Sequence, residues 1–187
     1  MKDKFVIGVT GGSGSILALT LLRNLENYET HVVVSEGAKK VFREELGSTG
    51  DELLKLASYT YDDKDISARI SSGSFKFTAA VIIPCSISTL GKVASGISDT
   101  LVTRACAVAL KERRKLILVP REMPLSTIVL ENMHKLSLAG AIVAPASPGY
   151  YTRPQSVEDM VNFVVSRVLD LMGVENDLVR RWRSGEK

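Results

Sequence analysis

Short apolar runs recur along the chain, spaced so that a helix fits between each pair. They are "FVIGV" (5–9), "THVVVS" (30–35), "AAVIIPCS" (79–86), "KLILVP" (115–120) and "AGAIVAP" (139–145). Each is too short for a buried helix and rich in Val, Ile or Ala, as strands buried on both faces are. The segments between them have helical character: "ILALTLLRNL" follows the first run and "EGAKKVFREEL" the second. Such alternation predicts a parallel sheet with helices on each side. The expected fold is α/β, a three-layer αβα Rossmann-like fold with a mainly parallel central sheet. One domain is expected over residues 1–174, with 175–187 a tail packing near the site or a neighbouring subunit.

Two later segments present helical faces. In "QSVEDMVNFVVSRVLDLM" (155–172), Val157, Met160, Val161, Val164, Val168 and Leu171 form one apolar stripe. Arg167 falls at its edge, where a long side chain can snorkel. Phe163 falls off the stripe, which predicts an exposed ring suited to subunit contacts. In "SDTLVTRACAVALKERR" (98–114), Arg104 and Lys111 stand about two turns apart on one face, with Val108 near it. A positive stripe beside apolar surface suits an anion, and convergence with Arg121 favours a site over a solvated basic face.

Composition excludes more than it identifies. Of 187 residues, 45% are hydrophobic and 24% charged, the balance of a globular domain with a sizeable core. The net charge of +3 includes no basic arm, and the few aromatics do not interleave with basic residues, so nucleic-acid binding is not expected. Cys85 and Cys106 lack metal-ligand spacing, and with only His31 and His134 beside them no metal is expected. The N-terminal apolar run is too short for a signal peptide or a membrane span. A reduced, cytoplasmic protein is expected.

In sheets of this kind, ligands bind beyond the carboxyl ends of the strands. The unusual residues lie there: "TGGSG" after the first run, Ser35 at the end of the second, "PCSIST" at the third, "PREMP" at the fourth and "PASPGYY" at the fifth. Glycines in "GVTGGSGS" (8–15) let backbone approach a ligand, and the helix they open offers N–H groups to a phosphate. The segment has neither the G-x-G-x-x-G nor the P-loop pattern, so a tight strand–helix turn fits it equally. Ser86, Ser88 and Thr89 put more hydroxyls at a helix start than one cap needs. Cys85 reads as a small buried residue, not a nucleophile. Arg121 and Glu122 are the least turn-like: a buried strand ends in two opposite charges, stiffened by Pro120 and Pro124.

Together, in order and over nearly the whole chain, these segments resemble the UbiX-type flavin prenyltransferases. The resemblance is carried by "TGGSGS" (10–15), "SSGSF" (71–75), "IIPCSISTL" (82–90), "RACAVALKERR" (104–114), "PREMPLS" (120–126), "ENMHKLSLAGA" (131–141), "SPGYYTRPQS" (147–156) and Arg167. It implies a flavoprotein domain that joins a dimethylallyl group from dimethylallyl monophosphate to reduced FMN, first at N5 and then at C6, without a metal. The product, prenylated FMN, would serve UbiD-type decarboxylases. It further implies a homo-oligomer, a dodecamer of trimers, with sites shared between subunits.

Carried over residue by residue, the resemblance implies that Gly11, Gly12 and Ser13 form the first flavin-binding loop and Ser35 a second contact. Ser86, Ile87, Ser88 and Thr89 match the loop around the FMN phosphate, and Arg121 a flavin and phosphate contact. Tyr151 and Arg167 match the prenyl-phosphate site, with Arg104 and Lys111 close in role and Trp182 reaching it from the tail. Ser13, Glu45 and Glu122 match residues implicated in the chemistry. Arg121 would stabilise the departing phosphate and Glu122 would handle a proton during ring closure.

Three positions depart from the family pattern: Leu17 replaces a tyrosine at the flavin edge, Gly12 an alanine and Ser126 a histidine. They leave a monophosphate or a diphosphate donor open. Two alternatives stand beside this reading. A flavin-dependent cysteine decarboxylase of related fold would be expected to carry a "PAMN"-type stretch, where this chain has "PREM" and "PCSI". A non-catalytic FMN carrier needs no second phosphate site, whereas Lys111, Arg121, Tyr151 and Arg167 exceed what one FMN phosphate demands.

Overall fold

Phe5, Ile7 and Val9 belong to one hydrophobic core and Val6 to another, so the first apolar run is a strand buried on both faces. The same alternation divides Val32 and Val34 from Val33, and Val81 and Ile83 from Ile82. The structure, a computed structural model, describes residues 3–181. Its strands are β1 (Lys4–Val9), β2 (Glu29–Val34), β3 (Tyr59–Asp62), β4 (Ala79–Cys85), β5 (Lys115–Pro120) and β6 (Ile142–Val143). They form one sheet in the order β3-β2-β1-β4-β5-β6, with every neighbouring pair parallel.

The helices are α1 (Ser15–Arg23), α2 (Glu36–Leu46), α3 (Asp51–Lys55), α4 (Ile87–Ala94), α5 (Leu101–Lys111), α6 (Thr127–Leu138) and α7 (Val157–Met172). One core joins the sheet to α1, α2 and α7 through residues such as Leu21, Phe42 and Val165. The other joins it to α4, α5 and α6 through Leu90, Val102, Cys106 and Leu136. This is the expected three-layer αβα arrangement.

Three expectations change. The sequence around "YTYD" has no apolar run, yet it forms β3, because an edge strand leaves its tyrosines partly in water. The buried stripe of α7 is Val161, Val164, Val165, Val168, Leu169 and Met172, rotated from the expected one, with Val157 left 73% exposed. Phe163 is half-buried rather than exposed, its ring edge-on to Tyr151 at 5.7 Å.

Hydroxyl caps start five of the helices. Ser35, Ser86, Thr100, Ser126 and Ser156 each accept an N–H from the first turn of α2, α4, α5, α6 and α7. Ser126, the departure from histidine, is therefore a helix cap. The chain runs β1 to β2 to β3 outward and then returns to place β4 on the other side of β1. The order reverses between β1 and β4, which opens a crevice at their carboxyl ends.

Candidate active site at the switch point of the sheet

Thr10 joins the two loops that meet in this crevice. Its Oγ1 donates to the Pro84 carbonyl at 2.9 Å and accepts the Ser86 N–H at 2.7 Å. The loop after β1 is thereby fixed to the cap of α4. The start of α2 lies as close: a Cβ at Gly11 would stand 3.2 Å from the Gly37 carbonyl carbon, a tight contact against backbone that glycine avoids.

A cavity of about 520 Å³ opens between these loops, in the range of small-molecule sites. Thr10, Gly11, Ser35, Ser86, Ser88 and Thr89 line it, so the structure brings together five residues matched to the flavin: Gly11, Ser35, Ser86, Ser88 and Thr89. Ser86 is the α4 cap, and its Oγ accepts the Thr89 N–H at 3.2 Å and donates to the Thr89 hydroxyl at 2.9 Å. Ser88 is exposed towards the cavity, at the N-terminus of α4. First-turn N–H groups and hydroxyls there suit a phosphate. The wall also includes Glu36, Asp62, Asp63, Lys64, Lys92, Thr100 and Thr103, which sequence reasoning missed. The signal for the 62–64 group was the unrecognised strand β3 that ends there.

The start of α1 is different from expectation. Its Gly14 and Ser15 N–H groups do not await a phosphate: Glu45 Oε1 accepts from Gly14 at 3.0 Å and Oε2 from Ser15 at 2.8 Å. Partial burial raises the Glu45 pKa, but hydrogen bonds from Ser13, Ser15 and Gly14 outweigh it and hold it below the ordinary carboxylate value. Gly14, at φ +113°, makes the left-handed turn into α1, and the buried Leu17 packs over it. Ser13 and Gly12 lie in this same loop, and Gly12 packs against Pro84.

Arg121 and Glu122 leave the end of β5 into solvent, and Glu122 Oε1 accepts the Met123 N–H at 3.3 Å. Tyr151 and Arg167 line a second cavity, of about 290 Å³, with Phe163, Ser166, Val179, Arg180 and Arg181. The structure thus brings those two expected donor residues together. Lys111 does not converge with Arg121 in one chain, and Arg104 is held elsewhere. Arg104 Nε donates to the Ser71 carbonyl at 3.0 Å, and Lys111 pairs with Glu112 beside Gly73. Lys111 ends α5 just before β5 begins, whereas Arg121 follows the other end of β5, about 20 Å along the strand direction. Trp182 lies outside the described residues. Among the described residues, no three His, Cys, Asp or Glu side chains are grouped to hold a metal ion, and no helix is long and apolar enough to cross a membrane.

The chain is similar to known proteins over nearly its whole length. The family described as Flavoprotein matches residues 1–169. The flavin prenyltransferase UbiX of Thermoplasma acidophilum is 60% identical over 179 residues, covering 96% of this chain and 99% of the relative. The crystal structure of AnUbiX (PadA1) in complex with FMN and dimethylallyl pyrophosphate superposes with a TM-score of 0.96 at 37% identity, covering 100% of both chains. The dodecameric FMN-dependent UbiX-like decarboxylase of Escherichia coli O157:H7 superposes with a TM-score of 0.94 at 45% identity, covering 97% of this chain and 100% of the other.

Proposed function

The chain belongs to the flavoprotein family, and from that premise we propose how its own residues carry out flavin prenylation. It is a UbiX-type flavin prenyltransferase: it joins a dimethylallyl group from dimethylallyl phosphate to reduced FMN, giving prenylated FMN. The observation that carries this reading is the switch-point cavity, which gathers Ser35, Ser86, Ser88 and Thr89 around the glycine loop. Its volume, its hydroxyls and the close crossing of Gly11 and Gly37 fit a flavin mononucleotide.

In this reading, Ser86, Ile87, Ser88 and Thr89 hold the FMN phosphate at the start of α4. Gly11, Gly12, Ser13 and Ser35 shape the wall beside the flavin. Bound, reduced FMN supplies the nucleophilic ring atoms N5 and C6. Glu45 fixes the Gly14–Ser15 turn and orients Ser13. Tyr151 and Arg167 hold the prenyl phosphate. Arg121 stabilises the phosphate as it leaves, and Glu122 handles the proton released on ring closure.

Lys111 is too far from Arg121 to serve the same site in one chain, and Arg104 is tied to the Ser71 carbonyl, so we assign both to the donor site of a neighbouring copy. Exposed Met123, Ile128, Leu138 and Tyr150, each at least 70% exposed, support an assembly that covers them. A dodecamer of trimers is the form this proposal takes, and a relative is dodecameric. Residues 1–174 act as the domain, and the tail from 175, including Trp182, packs near the donor site. The product passes to a UbiD-type decarboxylase. The buried free thiols of Cys85 and Cys106 support a reducing, cytoplasmic setting.

The test is anaerobic incubation with reduced FMN and dimethylallyl monophosphate, followed by mass spectrometry of the released flavin. A prenyl-sized mass increase that requires the protein is expected. Unmodified, tightly bound FMN with both monophosphate and diphosphate donors would turn the assignment towards a carrier.

A further inference from the structure

Arg167 is not left alone in the second cavity. Its Nη1 donates to Asp170 Oδ2 at 2.7 Å. The same carboxylate takes Arg181 in a two-pronged pair, with Nη2 donating to Oδ1 at 2.7 Å and Nη1 to Oδ2. Asn176 Nδ2 donates to Asp170 Oδ1 at 3.2 Å, and its carbonyl accepts from Arg181 at 3.3 Å. Asp170 is only 22% exposed, whereas the arginines it joins are 59% and 46% exposed. The carboxylate therefore sits beneath both guanidiniums, which line the cavity with Tyr151 and Arg180.

We propose that Asp170 is a positioning residue that holds Arg167 and Arg181 as a fork for the phosphate of the prenyl donor, with Arg181 a further anion-binding residue. The inference rests on the transferase reading of this cavity. Arg167, Arg180 and Arg181 stand against the Asp170 and Asp177 carboxylates, which leaves the group net positive, as an anion site requires. Without Asp170 the two cations repel each other, and each long side chain regains the freedom that binding must then remove. Donors left in place by a partner beneath them are preorganised for the ligand. The Asp170 pKa is held down, first by Arg181 and also by Arg167 against some desolvation, so the carboxylate stays charged.

Charge and positioning predict opposite results, which makes the test sharp. Asp170→Asn removes a negative charge, and if charge alone governed the site it would bind phosphate more tightly. The fork predicts the reverse: KM for dimethylallyl phosphate and the inhibition constant of inorganic phosphate rise roughly tenfold, with FMN affinity unchanged. Asp170→Glu, which keeps the carboxylate, should recover part of the loss. Arg181→Ala should weaken phosphate alone but add little on top of Asp170→Asn. Unchanged or tighter phosphate binding in Asp170→Asn, with FMN affinity preserved, would overturn the fork. Should that variant lose FMN binding as well, Arg181→Ala decides: unaltered phosphate affinity there overturns the proposal. If wild-type protein makes no prenylated flavin, the transferase reading fails, while the phosphate titration still decides the fork.

Discussion

Two glutamates are assigned to the proposed chemistry, and their surroundings divide their roles. Glu45 is committed: both its oxygens accept backbone N–H groups at the start of α1, and it stays a carboxylate because those bonds outweigh its burial. Protonating it would unseat the turn that carries Ser13. Glu122 is exposed at the end of a rigid strand, and its contact to the Met123 N–H is long, at 3.3 Å. A group that must take up and release a proton needs that freedom. Glu122→Gln keeps the size and hydrogen-bonding shape but cannot accept the proton. FMN should bind the variant as tightly as it binds wild type, while prenylated flavin forms about a hundredfold more slowly. Single-turnover assays with the flavin prebound would show it; full activity would remove Glu122 from the proton's route.

At the scale of elements, the strands and caps were readable because they follow from local chemistry. An apolar run between turn residues has few alternatives, and a Ser before an amphipathic stretch caps a helix, as Ser35, Ser86 and Ser156 do. Where the strands end pointed to Gly11, Ser35, Ser86, Ser88 and Thr89, which line one cavity, while only the resemblance named a flavin for them. What escaped was set by tertiary context: the polar edge strand β3, the rotation of α7, and the occupation of the α1 start by Glu45, far along the chain. Against the edge strand that was missed lies a buried titratable group. On β2, His31 is fully buried, with Nε2 2.9 Å from Glu29 Oε1 and Nδ1 2.9 Å from the Tyr61 hydroxyl. Tyr59 stacks on it, Phe75 meets it edge-on, and Arg69 and Lys4 lie around its carboxylate partner. Burial lowers its pKa more than Glu29 raises it, and Arg69 adds to the lowering. The folded state therefore favours neutral His31, so its stabilising effect is full above the ordinary value of 6.5 and fades as pH falls through it. Urea midpoints should drop between pH 7.5 and 5.5, with a slope of at most about 1.4 kcal/mol per pH unit from this group. His31→Phe should flatten that step, and an equal slope in the variant would place the acid sensitivity elsewhere.

On the scale of the whole molecule, two of the cations expected to meet at one phosphate, Lys111 and Arg121, stand at opposite ends of β5. Arg121 follows β5, and Lys111 precedes it beside Gly73. Their motifs were visible in the sequence, but helix periodicity could not show that α5 runs away from the strand ends as it approaches β5. A shared site resolves the separation: each donor phosphate would meet Arg121 of one copy and Lys111 of another, and the exposed apolar residues Met123, Ile128 and Leu138 would lie against neighbours. This has a consequence that a monomeric site cannot reproduce. Arg121→Ala and Lys111→Ala should each be nearly inactive alone. Subunits of the two, unfolded or dissociated together and reassembled in equal amounts, should regain about a quarter of wild-type activity, because random pairing gives that share of sites both native residues. Activity should rise and fall with the mixing ratio, peaking at equal amounts. Mixed assemblies that stay as inactive as their parents, despite proven subunit exchange, would put both cations' roles inside a single chain and rule out the shared site.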